Sequence, residues 1–126
     1  MEDLFTIILL VLMPVMFGND ELLPALGGMA VKLTLLGRDG TIAGTAGCEY
    51  PTAYPNVGWC EQDPEDWCRA FADALGQLLA QTGVEAGQIK ALAPDAATHT
   101  AVLLDESGQP VRPAILWTDQ RSREQV

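Results

Sequence analysis

Asp63-Pro64-Glu65-Asp66-Trp67-Cys68-Arg69-Ala70-Phe71-Ala72-Asp73-Ala74-Leu75-Gly76-Gln77-Leu78-Leu79-Ala80-Gln81-Thr82-Gly83 is the stretch that decides the fold class. Asp63 is a side chain suited to an N-cap, and Pro64 stands where a first helical residue has no N–H to lose. Glu65 and Asp66 put negative charge in the first turn, where the helix dipole favours it. Trp67, Phe71, Leu75, Leu78 and Leu79 recur at helical spacing and give one apolar face. Gly83 suits a left-handed C-cap. The spacing predicts one long helix over 64–81.

On the N-terminal side of that helix, residues 51–62 carry two prolines and Gly58 and read as a loop. Before it, residues 31–36 read as a strand, Gly37-Arg38-Asp39-Gly40 as a turn and residues 41–50 as a returning strand, together a hairpin. Residues 22–26 suggest a short strand that Pro24 would confine to an edge. On the C-terminal side, residues 89–93 read as a short buried strand. Residues 100–104 and 111–117 read as a second hairpin, with Thr118 capping a last helix that begins at Asp119. Strands before and after a helix, with antiparallel portions, give an α/β pattern.

The chain has 126 residues, suited to one domain, and is 48% hydrophobic, enough for a core. Only 19% of residues are charged, and the net charge is −10. That balance repels phosphate backbones and anionic lipid, which argues against nucleic acid and against polybasic contact with membranes. Three cysteines, Cys48, Cys60 and Cys68, occur without a C-x-x-C. An odd number with no paired spacing argues against a disulfide framework and for a reduced, cytoplasmic setting. His99 is the single histidine, so no metal site is expected from the usual ligand sets.

Residues 4–17 are almost wholly apolar, interrupted by Thr6 and Pro14. The run is shorter than the roughly 20 residues a membrane-spanning helix needs. Glu2 and Asp3 precede it where an export signal wants positive charge. Residues 1–20 therefore read as an apolar leader with three open readings: a buried strand or helix, a non-native leader, or an export signal or loose anchor.

Two blocks carry a resemblance to a known family. Tyr54-Pro55-Asn56-Val57-Gly58-Trp59-Cys60-Glu61-Gln62-Asp63-Pro64-Glu65-Asp66-Trp67 resembles the segment, typical of xylulokinase-like members of the FGGY carbohydrate kinases, that opens their first long helix. Arg112-Pro113-Ala114-Ile115-Leu116-Trp117-Thr118-Asp119-Gln120-Arg121 resembles their Pro-Ala-Ile-Leu-Trp run and the polar residues after it. The resemblance covers about residues 21–126. It implies a partial actin-like, ribonuclease-H-like ATPase N-terminal domain: a mixed sheet with antiparallel hairpins and one long helix. It implies ATP and magnesium as co-reactants and a small-molecule sugar as substrate.

Residue by residue, the carry-over is uneven. The family's phosphate turn reads Asp-x-Gly-Thr-Ser/Thr-x-x-Lys/Arg, and this chain reads Ala25-Leu26-Gly27-Gly28-Met29-Ala30-Val31-Lys32. Gly27 and Lys32 match, and Gly28 still permits close backbone approach to a phosphate. Ala25 replaces a carboxylate that would help hold the metal, and phosphoryl transfer is mostly positioning and charge stabilisation. Read without the family, Gly27-Gly28 is a hairpin turn. In the sugar-contact stretch His99 matches, Thr98 stands for a methionine and Ala97 for a glutamine. Both ring nitrogens of a histidine can bond sugar hydroxyls, although a lone histidine read by itself is more often structural. Trp117 matches the indole that lies against the sugar's carbon skeleton, and its alternative is a core tryptophan. The resemblance thus implies substrate contacts at Thr98, His99 and Trp117 and phosphate contacts at Gly27, Gly28 and Lys32. Asp119 and Arg121 read as a helix start with a salt-bridged or solvated face, and Trp59 and Trp67 as packing residues.

The leading expectation is the N-terminal portion of a carbohydrate kinase that phosphorylates a pentulose such as xylulose. The family's base lies beyond the matched stretch, so no catalytic residue is assigned and the isolated chain is expected to be inactive. One alternative is a truncated or degenerate product acting at most as a binding module, with self-association through exposed half-domain surfaces. The other is a small exported or membrane-associated protein, resting on residues 4–17 alone.

Overall fold

The computed structural model describes residues 29–96, 99–123 and 125, and residues 5–12 as backbone only. Strand β1 is Phe5–Leu12, β2 is Met29–Leu36 and β3 is Ile42–Tyr50. A short strand β4, Glu61–Gln62, precedes helix α1, Pro64–Thr82. Strand β5 is Ile89–Asp95 and β6 is Ala114–Ile115. The main sheet runs β3-β2-β1-β5, and β4 pairs with β6 in a second, two-stranded sheet.

The expected hairpin is β2 and β3, antiparallel from Met29↔Tyr50 to Leu36↔Ile42. Its turn is held by Asp39, whose Oδ1 accepts from the Thr41 N–H at 3.0 Å and from the Thr41 hydroxyl at 2.7 Å. The apolar run near the N-terminus is a strand: β1 lies between β2, antiparallel, and β5, parallel. The strand expected over 22–26 lies outside the described residues. A central strand flanked by one antiparallel and one parallel neighbour is the mixed α/β sheet anticipated from the sequence.

Helix α1 forms as its ends dictate. Asp63 Oδ1 accepts from the Glu65 N–H at 2.9 Å, and Gly83 closes the C-terminus at φ 69°, a left-handed position that glycine takes without steric cost. Val31, Leu33 and Leu35 on β2 and Ala46 and Tyr50 on β3 meet Ala70, Ala74 and Leu78 of the helix. Leu33, Leu35 and Leu78 are fully buried, each contributing roughly 1.5–3 kcal/mol of transfer free energy. The centre of the buried face is thus alanine, with Trp67, Phe71 and Leu75 flanking it. The reason is close approach: a Cβ added at Gly44 would stand 2.5 Å from Thr82 Cγ2 and 3.3 Å from Leu78 Cδ1.

Two expectations change at the C-terminal side. The second hairpin reduces to the bridges Ala101↔Ile115 and Leu104↔Pro110 and the two-residue β6. Pro110 and Pro113 have no N–H to give a ladder. The helix expected from Asp119 is absent among the described residues. Separate turns close instead, Asp119 N to Leu116 O at 3.0 Å and Arg123 N to Gln120 O at 3.1 Å. The capping oxygen belongs to Asp119 rather than Thr118: Asp119 Oδ1 accepts from the Arg121 N–H at 2.9 Å. Residues 51–62, expected as loop throughout, contain β4.

Candidate functional site

The strand register sets which segments meet. Leu12 pairs with Ala30, Leu10 with Asp95, and Met29 with Tyr50. The end of β1, the entry to β2, the end of β3 and the exit from β5 therefore lie at one end of the sheet. From that end the chain runs into 51–62 after β3 and toward His99 after β5. In open α/β sheets ligands bind outside the carboxyl ends of parallel strands, which here are β1 and β5.

At that end Trp117 sits at the corner of a turn whose two flanks are pinned to one residue. Leu116 N–H donates to Cys60 O at 3.1 Å, and the Cys60 N–H donates to Asp119 Oδ2 at 2.6 Å. Gln120 N–H donates to Gly58 O at 2.7 Å just beyond. Leu116 is buried, while Trp117 between the pins is 52% exposed. Anchored flanks and an outward corner present an indole to solvent at a fixed place.

Four charged side chains back this turn. The Arg121 guanidinium gives Asp119 two bonds, 2.8 Å to Oδ1 and 2.7 Å to Oδ2, and reaches Glu61 Oε1 at 2.8 Å. Arg112 donates to the same Glu61 oxygen at 2.8 Å. Two cations and two anions leave the cluster neutral. The Asp119 side chain is 2% exposed and Glu61 11%. The bonds from Arg121 hold the Asp119 carboxyl far below the usual carboxylate range, helped by the Cys60 N–H and outweighing burial. Arg121 is held protonated by Asp119 first and by Glu61 as well. Its guanidinium lies 3.8 Å from the centroid of the Trp59 ring, a cation–π contact. Tyr54, Asn56, Val57, Gly58, Trp59, Cys60 and Thr118 line an open groove of ≈ 540 Å³ beside it.

His99 is exposed in a turn, with φ 57°, an uncommon conformation for a non-glycine that histidine adopts more readily than most. It stands two residues before Ala101, and Trp117 stands two after Ile115, the partner of Ala101. The bridge fixes Ala101 opposite Ile115, His99 and Trp117 each lie two residues away from it, and neither is drawn into the core. Lys32 is half-buried on β2, on the sheet face away from Val31, Leu33 and Leu35. Gly27, Gly28 and Thr98 lie outside the described residues. Trp67 packs against the core as expected and donates to Gln62 Oε1 at 3.0 Å. Trp59 packs too, but its partner is a cation. The roles of Glu61 and Arg112 escaped sequence reading, because two charges 51 residues apart carry no local pattern.

Among the described residues no group of three or more His, Cys, Asp or Glu side chains is arranged to hold a metal ion. Among the described residues, too, no helix is long and apolar enough to cross a membrane.

Residues 25–126 match the family model described as the N-terminal domain of the FGGY family of carbohydrate kinases. The xylulose kinase of Bacillus subtilis strain 168 is 36% identical over 100 residues, which is 79% of this chain and 20% of that protein. A glycerol kinase of Beutenbergia cavernae is 34% identical over 98 residues, 77% of this chain and 19% of its own. The crystal structure of a xyloylose kinase from Brucella ovis superposes with a TM-score of 0.72 at 35% identity, covering 75% of this chain and 20% of that one. A xylulose kinase from Rhodospirillum rubrum shares the fold, with a TM-score of 0.65 at 24% identity over 77% of this chain and 21% of its own. The chain spans about one fifth of the length of the curated relatives it matches.

Proposed function

Because this chain belongs to the FGGY family of carbohydrate kinases, we propose that residues 21–126 are the first portion of such a kinase's N-terminal domain and carry the sugar-facing side of its site. The reaction served is ATP- and magnesium-dependent phosphorylation of a sugar hydroxyl, with a pentulose such as xylulose as the acceptor. In this reading the Trp117 indole lies along the carbon skeleton, His99 and Thr98 bond the hydroxyls, and Gly27, Gly28 and Lys32 face the phosphates. Relatives that are xylulose and glycerol kinases match at similar identity, so the choice of a pentulose rests on the two sequence blocks.

The observation that carries the proposal is the turn that holds Trp117 outward at the end of the sheet where β1 and β5 finish and β2 begins. An aromatic face open to solvent suits the C–H side of a sugar, and in this reading His99 offers two ring nitrogens to the hydroxyls. The three free cysteines support a cytoplasmic setting.

Titrating the chain with D-xylulose while following tryptophan emission tests the reading. Saturable quenching is expected, and it should vanish in Trp117→Phe and in His99→Ala. Binding of ordinary strength in both variants refutes the assignment. With ATP and magnesium added, the 126 residues should release no ADP above a heat-killed control, since the family's base is not in the matched stretch.

One observation favours a second reading, a non-catalytic product that acts by association. Every residue of β5 from Lys90 to Asp95 is exposed, including Leu92, and open strand edges promote pairing between chains. Gel filtration separates the two: a monomer at high concentration removes the second reading.

A further inference from the structure

Asp119 belongs to no contact that the proposed function uses, yet its carboxylate is nearly inaccessible and fully engaged. Oδ2 takes the Cys60 N–H at 2.6 Å and Arg121 Nη2 at 2.7 Å, while Oδ1 takes the Arg121 N–H at 2.9 Å and Arg121 Nε at 2.8 Å. One carboxylate thus joins the loop before α1 to both sides of the turn at 119–121. The other flank of the Trp117 corner is fixed by Leu116 N–H on Cys60 O. Between these two pins lie only Trp117 and Thr118, the central residues of the turn that the Asp119 N–H closes on Leu116 O at 3.0 Å, and both are exposed.

We propose that Asp119 is a positioning residue for the sugar site: its carboxylate locks the Trp117 corner onto the Cys60 backbone and so sets the direction in which the indole is offered. The proposal rests on the reading of Trp117 as a sugar contact, but the orientation of the ring can be tested without sugar. Arg121 holds the carboxylate ionised, and Trp59 and Glu61 hold Arg121. The order of support runs from Trp59 and Glu61 to Arg121, then Asp119, then the Trp117 turn. Arg112 shares Glu61 but touches neither pin, so it carries cluster charge without carrying the turn.

The test uses the whole chain labelled with 5-fluorotryptophan. Its three ¹⁹F resonances are assigned by Trp59→Phe, Trp67→Phe and Trp117→Phe. Asp119→Asn presents an N–H₂ to one of the donors the carboxylate served, so the Trp117 resonance is expected to move or broaden while that of Trp67, in the core, stays in place. Asp119→Glu keeps the charge with a side chain one methylene too long for both backbone donors, and it should displace Trp117 as well. It keeps the question open to refutation if the Asn variant fails to fold. D-xylulose affinity should fall about tenfold in each folded Asp119 variant, the scale of one charge-assisted hydrogen bond. Arg112→Gln should leave both the Trp117 resonance and the affinity as they are.

An unshifted Trp117 resonance in Asp119→Glu overturns the proposal. Equal loss of affinity in Arg112→Gln and Asp119→Asn also overturns it, because that pattern belongs to general weakening of the charge cluster. If D-xylulose moves no resonance in the unsubstituted chain, the sugar reading fails, and the ring-orientation measurement still decides the role of Asp119.

Discussion

Helix α1 on strands β2 and β3 and the junction of residues 58–62 with 114–121 are built on opposite principles. The first is a dry seam of Val31, Leu33, Leu35, Ala70, Ala74 and Leu78 with hardly a polar atom in it. The second has three buried apolar side chains, Cys60, Ala114 and Leu116, and is otherwise joined by backbone pairing and four charges, one of them on Arg112 just ahead of the stretch. Apolar burial is non-directional and proportional to area, so the seam supplies stability and fixes little about any one side chain. Charge-assisted hydrogen bonds are directional and modest in net energy, so the junction supplies orientation. An outward indole needs the second kind of support.

The largest losses of stability are expected in the seam. Leu78→Ala removes a fully buried side chain and should cost roughly 2–5 kcal/mol, read as a lower urea midpoint for the whole chain that does not depend on salt. Gly44→Ala should come next. Its new methyl meets Thr82 Cγ2 at a distance no real contact tolerates, and overpacking of this kind costs roughly 1–3 kcal/mol. Asp63→Ala removes the N-cap acceptor of the Glu65 N–H and should cost about 1 kcal/mol, again by urea midpoint.

The smallest effects separate the regions along the pH axis. Tyr50 lies in the seam, and burial raises its phenol above the ordinary value. A raised folded-state value means that its contribution is whole below about pH 10, the unfolded value, and fades as pH climbs through the folded one. Asp119 has the opposite sign, because its folded value is depressed. Its contribution is whole above about pH 4 and fades as pH falls through the folded value. Trp59 emission, which senses Arg121, should therefore change only at acid pH, while signals from the seam drift first at alkaline pH. Both regions failing together at one end of the scale would show that they are not separate supports.

The seam was largely legible in the sequence because its information is local. Asp63, Pro64 and Gly83 mark the helix ends within a few residues of where they act, and Asp39-Gly40 marks the hairpin turn. What the sequence misplaced was the centre of the helix face. Large residues advertise a face, but Ala70 and Ala74 lie closest to the sheet, and Gly44 shows why only by its distance from Thr82. The N-terminal run could not be resolved between strand, helix and leader, since a nearly continuous apolar stretch has no periodicity to read. Its partners, Leu36 to Ala30 on one side and Ile89 to Asp95 on the other, are distant in sequence. At the junction, the resemblance drew attention to Trp117 and His99, and the left-handed backbone of His99 had no signature in the chain. The Asp119–Arg121 pair was seen and read as a helix start. A carboxylate two residues before an arginine suits that role equally well until a distant N–H from Cys60 claims it.

Both pins on the Trp117 corner end on main-chain atoms of residue 60, one on its N–H and one on its carbonyl. Neither asks anything of the thiol. Position 60 is thereby open to chemical editing: alanine or serine there should preserve the corner, and with Cys48 replaced as well, Cys68, exposed on the helix, remains as a single handle for attaching a reporter.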